Sequence, residues 1–199
     1  LKRQLDGGIN GIVACGSTGE AVTLNDKEYA EVVKCAVEEV AGKVPVIAGA
    51  GSNNTARAIE LSKIAQAQDV DGLLHVTPYY NKPTQNGLVA HFKAIANAVP
   101  LPIILYNVPG RTGSNVLPDT IIRIAKEVPN VIAVKEASGN IGQIRDIIKG
   151  APKGFIVLSG DDALTLPAIE LGARGCISVV ANEVPREFSE LCQSALKGD

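Results

Sequence analysis

Lys135 closes the run Val131-Ile132-Ala133-Val134, four apolar residues of the kind that form a strand covered on both faces. An ammonium at the end of such a run is desolvated, paired or used. Two readings fit the local sequence. In one, the lysine snorkels off the strand end and pairs with Glu136. In the other it is a Schiff-base nucleophile, whose amine must be neutral to attack a carbonyl. That role needs a pKa brought from ~10.4 to near neutrality, roughly 4 kcal/mol of differential environment, and an apolar strand supplies desolvation of that kind. Other residues of suitable type stand elsewhere. Tyr106, ending the run in IILYNVPGRTG, could carry a proton, and Ser17 and Thr18 in CGSTGE offer hydroxyls and backbone N–H groups to a carboxylate.

The elements that must hold these residues repeat along the chain. β-rich runs begin near Ile9, Val44, Gly72, Ile103, Val131, Phe155 and Gly175, each a mostly unbroken apolar run as expected for buried parallel strands. Helical stripes separate them. Between Asp26 and Val40, residues Tyr29, Val32, Val33, Ala36, Val37 and Val40 recur at helical spacing, and Asn25 with Glu28 makes a variant of the capping box. Leu88-Val89-Phe92-Ile95-Ala96-Val99 and Ile121-Ile124-Ala125-Val128 are similar stripes. Seven strand-then-helix units imply right-handed crossovers and a parallel sheet or barrel. Polar, glycine-rich and titratable residues follow the strands, whereas the segments leading into strands, such as Gly42-Lys43 and Val99-Pro100, are plain connectors. A doubly wound sheet gathers its site at one switch point; seven decorated strand ends favour the barrel.

Composition excludes several classes of function. The 199 residues are 46% hydrophobic and 20% charged, and 19 basic against 21 acidic residues give a formal net charge of -2. That is the make-up of one globular domain, with no pull toward nucleic acid. No apolar run approaches the ~20 residues that span a bilayer, and a cytoplasmic location without a basic-then-apolar leader is expected. Leu1 is not a methionine, which hints at a missing start. Cys15, Cys35, Cys176 and Cys192 lack C-x-x-C or zinc spacing and are expected as reduced core residues. His75 and His91 fall within a strand and a helix pattern and are read as structural.

CGSTGE, TPYYNKP, YNVPGRTG, VIAVKEASGN and LSGDDA together resemble the dihydrodipicolinate synthase family, within the pyruvate-dependent class I aldolase superfamily that also holds N-acetylneuraminate lyase. The resemblance is collinear over nearly the whole chain. GSTGE and the strand-end lysine belong to the superfamily at large, whereas NVPGRTG is more specific. The resemblance implies a (β/α)8 TIM barrel in which Lys135 condenses with pyruvate. The enamine then attacks L-aspartate 4-semialdehyde, giving 4-hydroxy-tetrahydrodipicolinate on the route to lysine. It also implies that the lysine is the electron sink, with no metal or cofactor. Tyr106, Thr18 and Tyr80 form a proton relay, Tyr80 coming from a neighbouring subunit of a dimer or dimer of dimers. Ser17 and Thr18 seat the pyruvate carboxylate and Arg111 the semialdehyde carboxylate, while Gly160 and Ile177 lend backbone carbonyls. The blander alternatives are an aromatic interface pair at Tyr79-Tyr80 and a structural turn arginine at Arg111.

Two departures from the family pattern shape the expected fold. The family barrel has a strand before the first helix and a small helical domain after the barrel. Here residues 1–199 read as one barrel domain truncated at both ends, with about seven of eight strands and no C-terminal helical domain. The Ile9 and Gly175 strands are then expected to flank an open seam, with Ile12 and Ile177 poorly covered. The rival functions are a sialic-acid or sugar-acid lyase of the same superfamily, which Arg111 argues against, and a catalytically silent paralogue or fragment. In lysine-inhibited relatives a glutamate four residues after an asparagine helps bind the inhibitor's ammonium. Asn53 and Tyr79 fit that pocket, but Arg57 takes the glutamate's place, so weak feedback by lysine is expected from cation facing cation.

Overall fold

The computed structural model describes residues 1–198. In chain order the elements are α1 (Lys2–Asp6), β1 (Ile12–Ala14), α2 (Asp26–Val40), β2 (Val46–Gly49), α3 (Thr55–Gln66), β3 (Gly72–Val76), α4 (Gln85–Ala98), β4 (Ile103–Asn107), α5 (Pro109–Thr112), α6 (Pro118–Glu127), β5 (Val131–Glu136), α7 (Ile141–Gly150), β6 (Ile156–Ser159), α8 (Thr165–Glu170) and α9 (Pro185–Lys197). The six strands pair in sequence order, all parallel, in one sheet curled into an open half-barrel with helices outside.

Local chemistry starts each helix where a strand-end loop finishes. Asn25 accepts from the backbone N–H groups of Lys27 and Glu28, and Glu28 accepts from the Asn25 N–H, so the capping box expected for α2 is formed in both directions. Asn54, Thr84 and Asn140 cap α3, α4 and α7 with their side chains. The buried face of α2 is Tyr29, Val33, Ala36 and Val40; Val32, assigned to that face from spacing, is 44% exposed.

Two apolar clusters make the interior. The larger lies between sheet and helices, where Phe92, Ile95, Ile103, Leu105, Ile121, Ile124 and Ile147 lose all contact with solvent. The smaller lies inside the curl of the sheet: Leu74, Tyr106 and Val108, with Val13, Ile47, Val76, Ile104, Ala137 and Ile177 packed against them. Burying a leucine or isoleucine side chain is worth about 2 kcal/mol, so the outer layer carries the stability and the thin inner one leaves room at the strand ends.

Three expectations need correction. The run at Gly175 is not a seventh strand but a single bridge, Ser159 to Cys176. Its backbone bonds to β6 through Arg174, Gly175 and Ile177, yet Gly175 sits at φ +136°, which breaks the extended path. The Asp162 carboxylate then pulls the Val179 and Val180 N–H groups into a turn. Among the described residues β1 pairs only with β2, as the open seam required, and Ile12 and Ile177 are half-buried. Second, the run at Val131 is not covered on both faces throughout: the β4–β5 register shifts between Ile103 and Ile104, and Ile132, skipped by the shift, is 40% exposed. Third, all four cysteines are free, but only Cys15 is buried; Cys35 is exposed.

His75 and His91 are core residues, as read. The His75 ring faces the Ser62 hydroxyl at 3.2 Å and the His91 ring the Thr55 hydroxyl at 2.9 Å. Burial pushes their pKa values down to about 3 and about 4, with the neighbouring His91 adding to the effect on His75. A folded-state pKa below the unfolded value near 6.5 means that protons bind the unfolded chain first as pH falls. Stability is therefore lost from about pH 6.5 downward, by roughly 2 kcal/mol per histidine at pH 5. Urea unfolding at pH 7 and pH 5 should show this loss, and His91→Gln should shrink it; identical midpoints at the two pH values would contradict it.

Candidate active site

Apart from Ile177, which follows the Ser159–Cys176 bridge, every residue singled out for chemistry lies at or just beyond the C-terminal end of a strand. Lys135 is the penultimate residue of β5 and Tyr106 the penultimate residue of β4, and the two are register partners. The amine stands over the phenol ring, its Nζ 4.2 Å from the ring centroid. Lys135 is only 9% exposed, and the reading in which it pairs with Glu136 fails. Successive strand residues point to opposite faces. Glu136 is turned to the helix layer, where it accepts from Asn107 Nδ2 at 2.9 Å, Gln143 Nε2 at 3.0 Å and the Ser138 N–H at 2.7 Å.

Burial lowers the Lys135 pKa. Cys176 and Asp162 oppose that shift, while the Arg111 guanidinium reinforces it. The Tyr106 pKa is raised, again chiefly by burial, with Arg111 and the Ser17 hydroxyl pulling the other way. The group that must lose a proton to react is thus eased toward its neutral form, and the phenol beside it keeps its proton.

A cleft of about 480 Å³ opens above this pair, lined among others by Cys15, Ser17, Tyr79, Tyr106 and Arg111. Lys135 is not itself in the lining, but the Tyr106 ring that its amine stands over is. Of the two hydroxyls in the CGSTGE loop, it is Ser17 that interacts with Tyr106 and lines the cleft; Thr18 is exposed and outside the lining. Tyr80 is 88% exposed, at a left-handed φ of +72°, and stands apart from the cleft of its own chain. Ile177 packs against the Tyr106 cluster, and Gly160 flanks the lysine.

Backbone strain sits in the loops after β1 and β3 as well as in those after α2 and α3, where Ala41 and Asp69 take positive φ. Cys15, Glu20, Tyr80 and Lys82 all take positive φ in strand-end loops. Such non-glycine conformations cost of order 1–3 kcal/mol each and persist where the surroundings over-determine them. Gly49 permits the one at Cys15, because a Cβ there would collide with the Cys15 carbonyl.

A model of the dihydrodipicolinate synthetase family matches residues 1–199. The chain belongs to this family. The 4-hydroxy-tetrahydrodipicolinate synthase of Maridesulfovibrio salexigens is 55% identical over 199 residues, which is all of this chain and 68% of that protein. The dihydrodipicolinate synthase of Aquifex aeolicus is 47% identical and superposes with a TM-score of 0.97, over 100% of this chain and 68% of that one. The chloride-inhibited enzyme of Acinetobacter baumannii, complexed with pyruvate, is 46% identical with a TM-score of 0.97 and the same two coverages. Membership in the dihydrodipicolinate synthetase family makes the chain a lyase of the class I aldolase kind.

Sequence reading missed two features of the site. One is the Glu136 cluster, although the strand period of two already puts Glu136 opposite Lys135. The other concerns Arg57, which lines the same cleft. Its guanidinium is engaged by Asp26 and by Glu60, the latter at 3.3 Å; the Asp26 hydrogen bond raises the Arg57 pKa and in return lowers that of Asp26. Two carboxylates outweigh this cation, so cation–cation repulsion alone no longer argues for weak lysine feedback.

Gly160 makes room for the nucleophile. A Cβ there would stand 2.9 Å from Lys135 Cε, 3.0 Å from its Cγ and 2.7 Å from Ala137 Cβ. Ala137 Cβ is fixed to its backbone, so that backbone and the lysine chain would both have to give, carrying the amine off the Tyr106 face. Gly160→Ala should therefore lower the thermal midpoint and, in the folded protein, slow pyruvate-dependent borohydride labelling of Lys135 by roughly tenfold; labelling at the wild-type rate would show that the lysine chain needs no such space.

Proposed function

We propose that this chain catalyses condensation of pyruvate with L-aspartate 4-semialdehyde to 4-hydroxy-tetrahydrodipicolinate, a step of lysine biosynthesis, with Lys135 as the Schiff-base nucleophile. The observation that carries this is the pairing of a desolvated amine with a phenol, side by side at the strand ends, beneath a cleft that also presents Ser17 and Arg111.

The chemistry follows from that arrangement. The neutral Lys135 amine attacks C2 of pyruvate, and loss of water from the carbinolamine gives a protonated imine. Its positive nitrogen draws electrons from C3, so a proton leaves C3 and an enamine forms. The enamine attacks the aldehyde carbon of the semialdehyde. The substrate's own amine then closes the ring onto the imine carbon and releases Lys135. Each stage moves a proton to or from oxygen or nitrogen, and Tyr106 is the group placed to do this. Ser17 is the hydroxyl of the relay that meets Tyr106, while Thr18 and Ser17 together seat the pyruvate carboxylate through hydroxyl and backbone N–H groups. Tyr80 completes the relay from a neighbouring subunit of a homo-oligomer, a role that fits a tyrosine so exposed on its own chain. Gly160 and Ile177 contribute backbone carbonyls to the pocket wall. A cytoplasmic location belongs to the same reading; no helix among the described residues is long and apolar enough to cross a membrane.

The test is direct. Pyruvate with borohydride should label Lys135 irreversibly, and Lys135→Arg should abolish the label, since a guanidinium cannot be neutralised at working pH. Peptide mapping that found the label on Lys126 or Lys149 would overturn the assignment.

Arg111 is exposed at the mouth of the cleft and acts on both Lys135 and Tyr106 through its charge. We assign it the carboxylate of the semialdehyde, which a guanidinium grips with two parallel hydrogen bonds. Arg111→Ala should raise KM for the semialdehyde by roughly a hundredfold, a few kcal/mol of lost binding, with a much smaller effect on KM for pyruvate. Steady-state kinetics with each substrate varied in turn would decide, and equal damage to both would count against this role.

A further inference from the structure

The structure places a second, dry assembly directly behind the reacting pair. Register pairs Tyr106 with Lys135 and, one residue on, Asn107 with Glu136. Because strand side chains alternate, the first pair faces the cleft and the second faces the helices. Asn107 is wholly buried and Glu136 is 1% exposed. No cation accompanies Glu136: it is absent from the ion pairs among the described residues, and neutral N–H donors alone hold it. A carboxylate taken out of water without a counter-charge is costly and persists only with its oxygens fully hydrogen-bonded.

The donors come from three parts of the fold that must agree if the site is to form. Asn107 on β4 gives Nδ2 to Glu136 and also to Asn115 Oδ1 at 2.8 Å, while its own Oδ1 accepts from the Val116 N–H at 3.0 Å. Gln143 on α7 gives Nε2 to Glu136 and to Asn115 Oδ1 at 3.2 Å, and accepts from Asn115 Nδ2 at 2.9 Å. Asn115 and Val116 close the loop that carries Arg111. The strand that bears Tyr106, the strand that bears Lys135 and the loop that bears Arg111 are thereby tied to one carboxylate.

Resting on the reading of Lys135 as the nucleophile, we propose that Glu136 is a positioning residue. Its hydrogen bonds to Asn107 and Gln143, on the helix side of the sheet, fix the Lys135 amine against Tyr106 and hold the Arg111 loop over the cleft. It touches no substrate. A carboxylate suits the place because both of its oxygens accept and all of its neighbours donate. The amide of glutamine would turn an NH2 toward donors, either the fixed Ser138 N–H or the side chains of Asn107 and Gln143.

The pattern also defines its own rescue. In the exchange Asn107→Asp with Glu136→Gln, the new aspartate accepts from the Val116 N–H and from the new glutamine amide, and the glutamine oxygen accepts from the Ser138 N–H, while the Asn115 and Gln143 amides turn over so that Asn115 Nδ2 donates to the aspartate and Gln143 Oε1 accepts from the glutamine. Charge is restored, and of the original donations only that of Gln143 Nε2 to the Val116 carbonyl is lost. Wild type and variants, each as the full chain, are compared for pyruvate-dependent borohydride labelling of Lys135, for kcat and KM, and for fold by near-ultraviolet circular dichroism. Failure of the wild type to label would overturn the nucleophile assignment and not the clamp.

Given wild-type labelling, Glu136→Gln should remain folded and label roughly tenfold to a hundredfold more slowly, with kcat falling in parallel and KM for pyruvate moving less than about threefold. The exchanged double variant should recover to within about threefold of wild type. A folded Glu136→Gln with wild-type labelling, or a drop in thermal stability alone, would overturn the proposal, as would a folded double variant no faster than the single one. Should Glu136→Gln fail to fold, Gln143→Met, which keeps length and removes one donor, should slow labelling about threefold, and an unchanged rate there would overturn it equally.

Discussion

An amine held out of water against the face of a phenol is the constraint on which the rest of the structure turns. Burial disfavours the ammonium, whereas the ring quadrupole 4.2 Å away favours it. A cation over an aromatic ring gains about 0.5–2 kcal/mol, and one pKa unit is worth about 1.4 kcal/mol, so the ring offsets at most about a unit and a half. Burial is the largest influence on the Lys135 pKa and lowers it, ahead of the opposing effects of Cys176 and Asp162. The same ring that limits the loss of charge is ready to receive it: once the nitrogen belongs to a protonated imine, the attraction acts on the intermediate rather than on the free amine.

Such a balance exists only where the sheet is thick on one side and thin on the other. The layer between strands and helices holds the large buried side chains, and the interior of the curl holds Leu74, Tyr106 and Val108 with a partial jacket. A fully packed interior would leave no path to Lys135, and an unpacked one would let water restore its charge. Parallel strands supply this asymmetry without special residues, because their C-terminal ends open together onto one rim. The left-handed residues of that rim are tolerated because the sheet below is rigid.

Much of this was legible in the sequence where one local rule governed the outcome. The capping residues of α2 and the starts of β3 and β4 stand as read, because an Asn-x-x-Glu cap or an apolar run bounded by proline and polar residues has few other ways to fold. Readings failed where geometry depended on a neighbour. Ile132 looks like any other strand residue, and only the register shift against β4 turns it outward. The run at Gly175 has strand composition, but one positive φ and the Asp162 carboxylate bend it into a turn.

Glu136 shows the reverse case, a reading that sequence periodicity could have corrected. Adjacency suggested an ion pair with Lys135, but adjacent residues of one strand never share a face. The consequence reaches beyond this residue. At the ends of β4 and β5 the chain spends consecutive positions on different tasks, Tyr106 and Lys135 on the reacting side, Asn107 and Glu136 on the supporting side. A one-residue slip of β5 would exchange its two, bringing a carboxylate beside the phenol and burying an ammonium among amide donors. Both arrangements oppose the charge they enclose. The polar pair behind the sheet and the reacting pair in front of it therefore select the same register independently, so the alignment that places the lysine is also the one that keeps the buried carboxylate satisfied.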